Sequence, residues 1–421
     1  MPDSPNHAIV YGASGLIGWA LINQLLVPYP ATNTFKKVTA VTNRPLDLSE
    51  TYWPEPDSRR PELQLVSGVD LRGWNKTTLL ERLRQRVENI EDVTHIYYLV
   101  FTAMDDDIEE VATNRRMLQN VIDVHNLISP KLQFVAFVGG TRGYGIYSPG
   151  GTFTPPLHEE MVKNLPPDYA KTVVYPSYRE ILDTSSAEKN WTWCEVCPDA
   201  IIGFTPNGSQ FSLALHWAQY LSLYAYNNGI GPHTQGNSTN PIAKIPFPGS
   251  LAGATSLFSP VSSTRLAQFL IYASLHPKTC GSGQLFNIAD QETPSTYGSL
   301  WPHLAKWFGL IGIAPSEPGP ETEYNKLKVG EMPEEVSSLA PGEYIAKYRD
   351  VFAQWGCQKA VTGGVGAGNR QLDSVGYWLT FDRQLSLERL MGTGFEGGRG
   401  RDPVQGWVES FGLFRRAGLI L

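Results

Sequence analysis

Glycines at 12, 15 and 18, in the run Gly12-Ala-Ser-Gly15-Leu-Ile-Gly18, lie between an apolar run, Ala8-Ile-Val-Tyr11, and a helical pattern that begins near Leu16. Glycine at these places permits a tight turn, a close approach of backbone to a pyrophosphate, and close packing of helix on strand. The first helical turn then offers unpaired N–H groups and a partial positive charge to an anion. An ordinary tight turn would use glycines too. The strand before, the helix after and the place at the head of the chain favour dinucleotide binding, with Gly12, Ser14, Gly15, Leu16, Ile17 and Gly18 at the phosphates. The second residue set stands after the next apolar run and reads Thr42-Asn43-Arg44-Pro45, with no carboxylate before Asp47. An acidic residue there would bind ribose hydroxyls, whereas arginine accommodates a 2′-phosphate. Asn43 and Arg44 therefore point to NADPH. Asp70 and Leu71, after the third apolar run, are expected at the adenine edge; the alternative for Asp70 is a helix-capping role.

The elements that must hold these residues alternate through the first 140 positions. Strands are expected at Ala8–Tyr11, Lys37–Thr42, Leu63–Val66, His95–Val100 and Gln133–Val138, with helices near Leu16, over Thr77–Val87 and over Ile108–Leu127. That alternation is the pattern of βαβ units and a parallel sheet. The fold class expected is α/β, a Rossmann-type doubly wound sheet over residues 1–200, with a smaller, mainly helical substrate-binding part over 201–421. Residues of about 255–292 in that second part are expected to return to the Rossmann core. Residues 140–172 read as loop, Tyr175–Glu188 as helix, and the run ending at Cys197 as a strand. The aromatic helix carrying Trp217, Tyr220, Tyr224 and Tyr226 either lines a pocket for a flat apolar substrate or forms core. The Pro-, Glu- and Ser-rich stretch 313–340 reads as an exposed excursion, and the glycine patch 363–368, outside any strand–turn–helix context, as loop.

Bulk properties narrow the function. The chain of 421 residues has a net charge of −7 and 18% charged residues, so it has no basic surplus for nucleic acid. No run of about 18 apolar residues suggests a membrane span, and the polar start, Met1 to His7, lacks the basic and apolar regions of a secretory signal. A cytoplasmic protein is expected, as monomer or homodimer, with a small apolar substrate as partner. Four cysteines are too few for a disulfide framework, and Cys194 and Cys197 read as core residues of a strand. The eight histidines form no ligand pair, so no metal is expected, and no Gly-x-Ser-x-Gly elbow suggests a hydrolase.

The glycine turn, Asp92-Val-Thr-His-Ile-Tyr-Tyr98 and Asn114-Arg-Arg-Met-Leu-Gln-Asn-Val121 follow one another as in extended short-chain dehydrogenases. Further on, Cys197-Pro-Asp-Ala-Ile-Ile-Gly-Phe-Thr-Pro206 resembles the Arg-Pro-x-x-Ile-x-Gly-Phe-x-Pro segment of the progesterone 5β-reductase/iridoid synthase-like group. Gln284–Asp290, Trp301–Gly309 and the terminal Gly394-Phe…Trp407-Val-Glu are similar as well, so the resemblance spans nearly the whole chain. It implies NADPH-dependent reduction of a C=C bond conjugated to a carbonyl, and it brings Pro198 and Ile201 to the cofactor.

The same resemblance implies a catalytic lysine in a Thr-Gly-x-Lys-His-Tyr segment and a tyrosine in Phe-Tyr-Tyr-x-x-Glu-Asp. This chain departs from both. The first segment reads Gly139-Gly-Thr-Arg142-Gly-Tyr144, with Arg142 at the lysine position; the second reads Val174-Tyr175-Pro-Ser-Tyr178-Arg179-Glu180. Tyr175 matches the first family tyrosine, and Tyr178 is the reserve. Tyr175 and Arg179 are four apart on one helix face, like the Tyr-x-x-x-Lys of ordinary short-chain dehydrogenases. Arginine keeps the charge and can favour an oxyanion, but it does not deprotonate and is no proton relay. The expectation is an NADPH-dependent reductase of an enone, an enal or a carbonyl. The alternatives are a cyclase or isomerase that uses bound NADP(H) structurally, and a non-enzymatic NADP(H) sensor.

Overall fold

The computed structural model describes residues 6–27, 29–209, 211–231, 243–315, 327–333, 340–363, 370–396 and 400–421. In chain order the elements that position the site are β1 (His7–Tyr11), α1 (Leu16–Leu26), β2 (Lys37–Val41), β3 (Glu62–Val66), α2 (Lys76–Arg86), β4 (His95–Tyr98), α3 (Asp107–Ile128), β5 (Phe134–Val138), a short α4 (Pro167–Ala170), α5 (Tyr175–Ser186), β6 (Thr192–Pro198), β7 (Ile201–Ile202), α6 (Leu213–Asn227), β8 (Lys244–Pro246), α7 (Leu251–Thr255), β9 (Val261–Ser262), α8 (Ser263–Leu275), a short α9 (Pro277–Cys280), β10 (Gln284–Ile288), α10 (Tyr297–Trp307) and β11 (Ile311–Ile313).

Seven strands form one sheet in the order β10-β6-β5-β4-β1-β2-β3, every pair parallel. The order reverses between β1 and β4, and Tyr11 is level with both Val41 and Tyr98, so the three strand ends open on one crevice. In a doubly wound sheet that switch point is where ligands bind. Strand alternation sends Ala8 and Val10 to one face and Ile9 and Tyr11 to the other. The second face packs under α2, α3 and α5; the first packs under α1 and α8 and runs on into the core of the C-terminal part. Hence β1, buried throughout, reads as an unbroken apolar run.

Beyond β6 the means of support change. Trp217 on α6 stacks on Trp407, with ring centroids 5.4 Å apart and planes 13° apart, and meets Trp301 edge-on. Trp217 and Tyr220 are buried and Tyr224 and Tyr226 half-buried, so the first two belong to the core. Cys194 and Cys197 are buried and free and both belong to the larger core cluster. The stretch 313–340 is described at 313–315, 327–333 and 340, and the patch 363–368 at 363 alone; the remainder of both expectations lies outside the described residues. No helix of the described residues is long and apolar enough to cross a membrane.

Candidate active site

The glycine turn closes where β1 ends. Gly12 has a φ of +83°, and a Cβ there would stand 2.6 Å from the Leu99 carbonyl oxygen at the end of β4. On Gly18, a Cβ would overlap the Gly12 carbonyl, so this glycine is what lets α1 lie against the turn. Gly15 is the residue before α1 and contributes no side-chain cap. The N–H groups of the first turn are thus left for an anion. Thr205 Oγ1 donates to the Ser14 carbonyl at 2.8 Å and pins the far wall of the turn. Leu16 is buried and Ile17 packs against the core, so these two anchor the helix and contribute backbone to the turn. A cradle that a Cβ would fill, under an uncapped helix N-terminus, fits a pyrophosphate.

At the end of β2, Thr42 Oγ1 donates to the Arg44 carbonyl at 2.8 Å and turns the chain outward. Asn43 and Arg44 are exposed there, and the Arg44 guanidinium has no partner among the described residues. Asp70 takes the backbone N–H groups of Arg72 and Gly73 on Oδ1, at 3.1 and 3.0 Å. Its carboxylate holds its own turn and caps no helix, since Asn75 caps α2, while Leu71 is buried.

The chain leaving β5 makes a tight 3-10 turn, Thr141–Tyr144. Tyr175, the first residue of α5, lays its ring on that turn: a Cβ on Gly143 would be 3.1 Å from Cδ2 of the tyrosine, and one on Gly140 3.1 Å from its hydroxyl. Gly143, where the family carries histidine, thus leaves the space the Tyr175 ring uses. The Tyr175 hydroxyl makes no hydrogen bond among the described residues, and the side chain is half-buried. Burial raises its pKa, Cys197 adds to the rise, and the Arg142 charge opposes it. The phenol is therefore a protonated hydrogen-bond donor at neutral pH.

The Arg142 guanidinium is taken up by protein groups. Nη1 donates to Glu110 Oε1 at 2.5 Å, and Nη2 donates to Asp107 Oδ1 and to the Thr172 carbonyl, both at 2.6 Å. Its guanidinium also lies 5.1 Å from the Tyr147 ring centre. Two carboxylates from α3 neutralise it, so it clamps the 3-10 turn to α3 and is not poised to grip a substrate oxygen. Tyr178 is core: it is buried and meets Tyr98 and Phe137 edge to face. As a reserve donor it is corrected by this placement, because α5 turns that face onto the sheet. Arg179, one turn after Tyr175, donates from Nε and Nη2 to the buried Glu195 at 2.6 and 3.1 Å, so the Tyr-x-x-x-Lys analogy gives no second basic group beside the phenol. Glu195 lies directly beneath Gly139, where a Cβ would overlap its carboxylate.

Other residues that build the site carried little signal. Asn114 holds the loop after β4, accepting from Thr102 N–H at 2.9 Å and donating to Thr102 O at 2.8 Å; an asparagine buried in a helix is the sign that would have marked it. Glu110 also takes Met104 N–H at 3.1 Å. Tyr144 donates to Asn287 of β10 at 2.6 Å. Pro198 ends β6 and Ile201 begins β7, on the same rim as Gly139–Arg142.

The match to known proteins covers the whole of this frame. The model of the PRISE-like Rossmann-fold domain matches residues 8–420. Short chain dehydrogenase sirQ of Leptosphaeria maculans is 33% identical over 73% of this chain and 75% of its own. Short chain dehydrogenase sirS of the same organism is 28% identical over 100% and 98%. The (S)-8-oxocitronellyl enol synthase of Catharanthus roseus is 22% identical over 72% and 68%. Among solved structures, Bordetella bronchiseptica WbmH in complex with NAD+ shares the fold at a TM-score of 0.54 and 12% identity, covering 98% of this chain and 99% of that one. GDP-mannoheptose C4 reductase from Campylobacter jejuni, with NADP bound, does so at 0.51 and 12%, covering 97% and 99%. By its glycine turn, its switch-point crevice and a family match running from β1 to the C-terminal tail, the chain belongs to the PRISE-like Rossmann-fold family and is an enzyme of the short-chain dehydrogenase/reductase type.

Proposed function

We propose that this enzyme uses NADPH to reduce a C=C bond conjugated to a carbonyl in a small apolar molecule. The observation that carries the reading is the Tyr175 hydroxyl, protonated, without a hydrogen-bond partner among the described residues, and next to Gly140 where the chain leaves β5. Gly12, Ser14, Gly15 and the first turn of α1 would hold the pyrophosphate, and the exposed Arg44 would take the 2′-phosphate, with Asn43 beside it. Pro198 and Ile201 would border the far end. Bound NADPH supplies a hydride, which an enone or enal accepts at its β-carbon.

The electron pair displaced from the C=C bond then collects on the carbonyl oxygen. A donor aimed at that oxygen stabilises charge that exists only in the transition state, which is the most productive place to spend an interaction. Tyr175 is that donor. Its raised pKa makes it a hydrogen-bond donor and not a proton relay, and Arg142, paired to α3, relays nothing either. A 1,4-reduction needs only the hydrogen bond, because the enolate can take its proton from water. Reduction of an isolated ketone needs delivery of a proton to the developing alkoxide, and the absence of a lysine beside Tyr175 disfavours it.

The test is NADPH consumption against a panel of apolar enones and enals, followed by absorbance, with Tyr175→Phe alongside. Turnover in the variant should fall about 100-fold or more, the usual cost of one such donor. Unchanged turnover would move the donor elsewhere. NADPH that binds and is never consumed would put the cyclase, isomerase or sensor readings ahead.

A further inference from the structure

A buried ion pair lies under the ends of β5 and β6 that neither the glycine turn nor Tyr175 accounts for. Asp199 follows β6 directly. Its Oδ1 accepts from Thr141 Oγ1 at 3.0 Å, and its Oδ2 accepts from Ser259 N–H at 3.2 Å. The Arg383 guanidinium faces the same carboxylate, with Nε 3.5 Å from Oδ2, and the two side chains are only 1% and 5% exposed. Arg383 is threaded into place by its neighbours. Its own N–H donates to the Leu257 carbonyl, Asp382 Oδ1 accepts from Leu257 N–H, and Leu385 N–H donates to Ser259 Oγ. The rings of Phe258 and Tyr297 stand 5.0 and 5.8 Å from the guanidinium, the Tyr297 side chain interacts with it, and its Nε and Nη1 make no hydrogen bond among the described residues.

So sparsely bonded a buried charge is a poor way to hold a fold, since apolar side chains of similar volume often serve as well. What the guanidinium does achieve is to fix one carboxylate. Through it Arg383 fixes Thr141, next to the Gly140 that abuts Tyr175, and Ser259. In a doubly wound sheet the phosphates sit at the first glycine turn, and the second half of the dinucleotide crosses the switch point onto the strand ends beyond β4. Those are the ends of β5 and β6.

We propose that Asp199 and Arg383 are positioning residues for the nicotinamide end of the cofactor crevice. Arg383, supplied by the C-terminal part, holds Asp199, and Asp199 holds Thr141 and Ser259, so that the rims of β5 and β6 keep the spacing a nicotinamide requires. The inference rests on the cofactor reading above and deepens it, since it makes the C-terminal part a component of the cofactor site.

The experiment titrates the full chain with NADPH and, separately, with 2′,5′-ADP, which carries only the adenosine end. Arg383→Met keeps bulk and removes charge, Arg383→Lys restores charge, and Thr141→Val removes one hydroxyl while leaving the ion pair. Arg383→Met should weaken NADPH about tenfold and leave 2′,5′-ADP within about twofold, as expected for losing one charged, hydrogen-bonded support. Arg383→Lys should recover most of that loss. Thr141→Val should weaken NADPH about threefold with an unchanged melting temperature; it carries the test if Arg383→Met does not fold. Equal losses for both ligands, or a Thr141→Val protein that binds NADPH like wild type, would overturn the proposal. Wild-type protein that binds 2′,5′-ADP but not NADPH would remove the cofactor reading and this one together, whereas tight NADPH binding indifferent to the variants would remove this one alone.

Discussion

Residues up to Pro198 and the residues beyond them are held together by different physics. In the first region, ladders of parallel backbone hydrogen bonds and crossover helices do the work, and the functional turn is made by glycines whose neighbours are a few residues away or on the adjoining strand. In the second region the strands are two or three residues long, apart from β10, which joins the large sheet. Support there comes from aromatic side chains such as Trp217, Trp301 and Trp407 and from buried charges such as Arg383, which reaches back to Asp199. The comparison teaches that the glycine turn and its sheet can be specified locally, whereas the C-terminal part depends on contacts between distant stretches of chain.

The hardest way to break that contrast is Trp217→Ala. The indole is buried amid four other aromatic rings, so the cost should be about 3–5 kcal/mol. If the two regions are held independently, turnover is lost while NADPH titration still shows binding; loss of both together in one urea transition would mean a single cooperative unit. Acid should act on the other side. Burial lowers the pKa of His95 to about 4, and burial together with the Lys37 charge does the same for His7. Burial lowers His125 to about 3. All three lie in the first region and are neutral when folded, whereas the unfolded chain takes up protons below its ordinary histidine pKa of 6.5. Stability is therefore complete above that value and falls as the pH drops from it toward about 4, with His95 alone contributing about 3 kcal/mol. Hydrogen exchange compared between neutral pH and about pH 5, corrected for intrinsic rates, should show β1, β4 and α3 losing protection first. Earlier loosening of α6 and α10 would invert the comparison.

Two smaller effects sharpen it. Arg44→Ala should weaken NADPH about tenfold and leave NADH unchanged, since one exposed guanidinium is removed from a phosphate. A parallel loss for both cofactors would mean that Arg44 supports the turn and does not read the phosphate. The smallest expected effect is none: with the Tyr175 pKa raised, the donor stays protonated, so turnover should be flat from about pH 7 to pH 9. An alkaline fall within that range would assign the proton to another group.

The legible and illegible parts divide along the same line. The five strands expected before residue 140 all form, although β4 ends at Tyr98 instead of Val100, where Leu99 is taken up against Gly12. α3 appears as Asp107–Ile128, capped by Asp106, within a residue of its expected ends. Periodicity found these because burial on a sheet face or a helix face repeats at a fixed spacing. The Tyr-x-x-x-Lys spacing correctly put Tyr175 and Arg179 on neighbouring turns, yet helical spacing does not say which partner a guanidinium finds. Glu195, across on β6, decided that.

From its sequence alone this chain is determined to carry a parallel α/β sheet, a phosphate-sized glycine turn and an arginine at the end of the second strand. Each follows from backbone freedom, local periodicity or nearest-neighbour order. Only the tertiary structure decided that Arg142 is spent on α3, that Tyr178 is core while the Tyr175 hydroxyl finds no hydrogen bond among the described residues, and that Arg383 stands beside Asp199. Those outcomes turn on which distant groups share a buried space. A buried charge settles toward whatever opposite charge packing brings to it, and its own sequence neighbours do not record that choice.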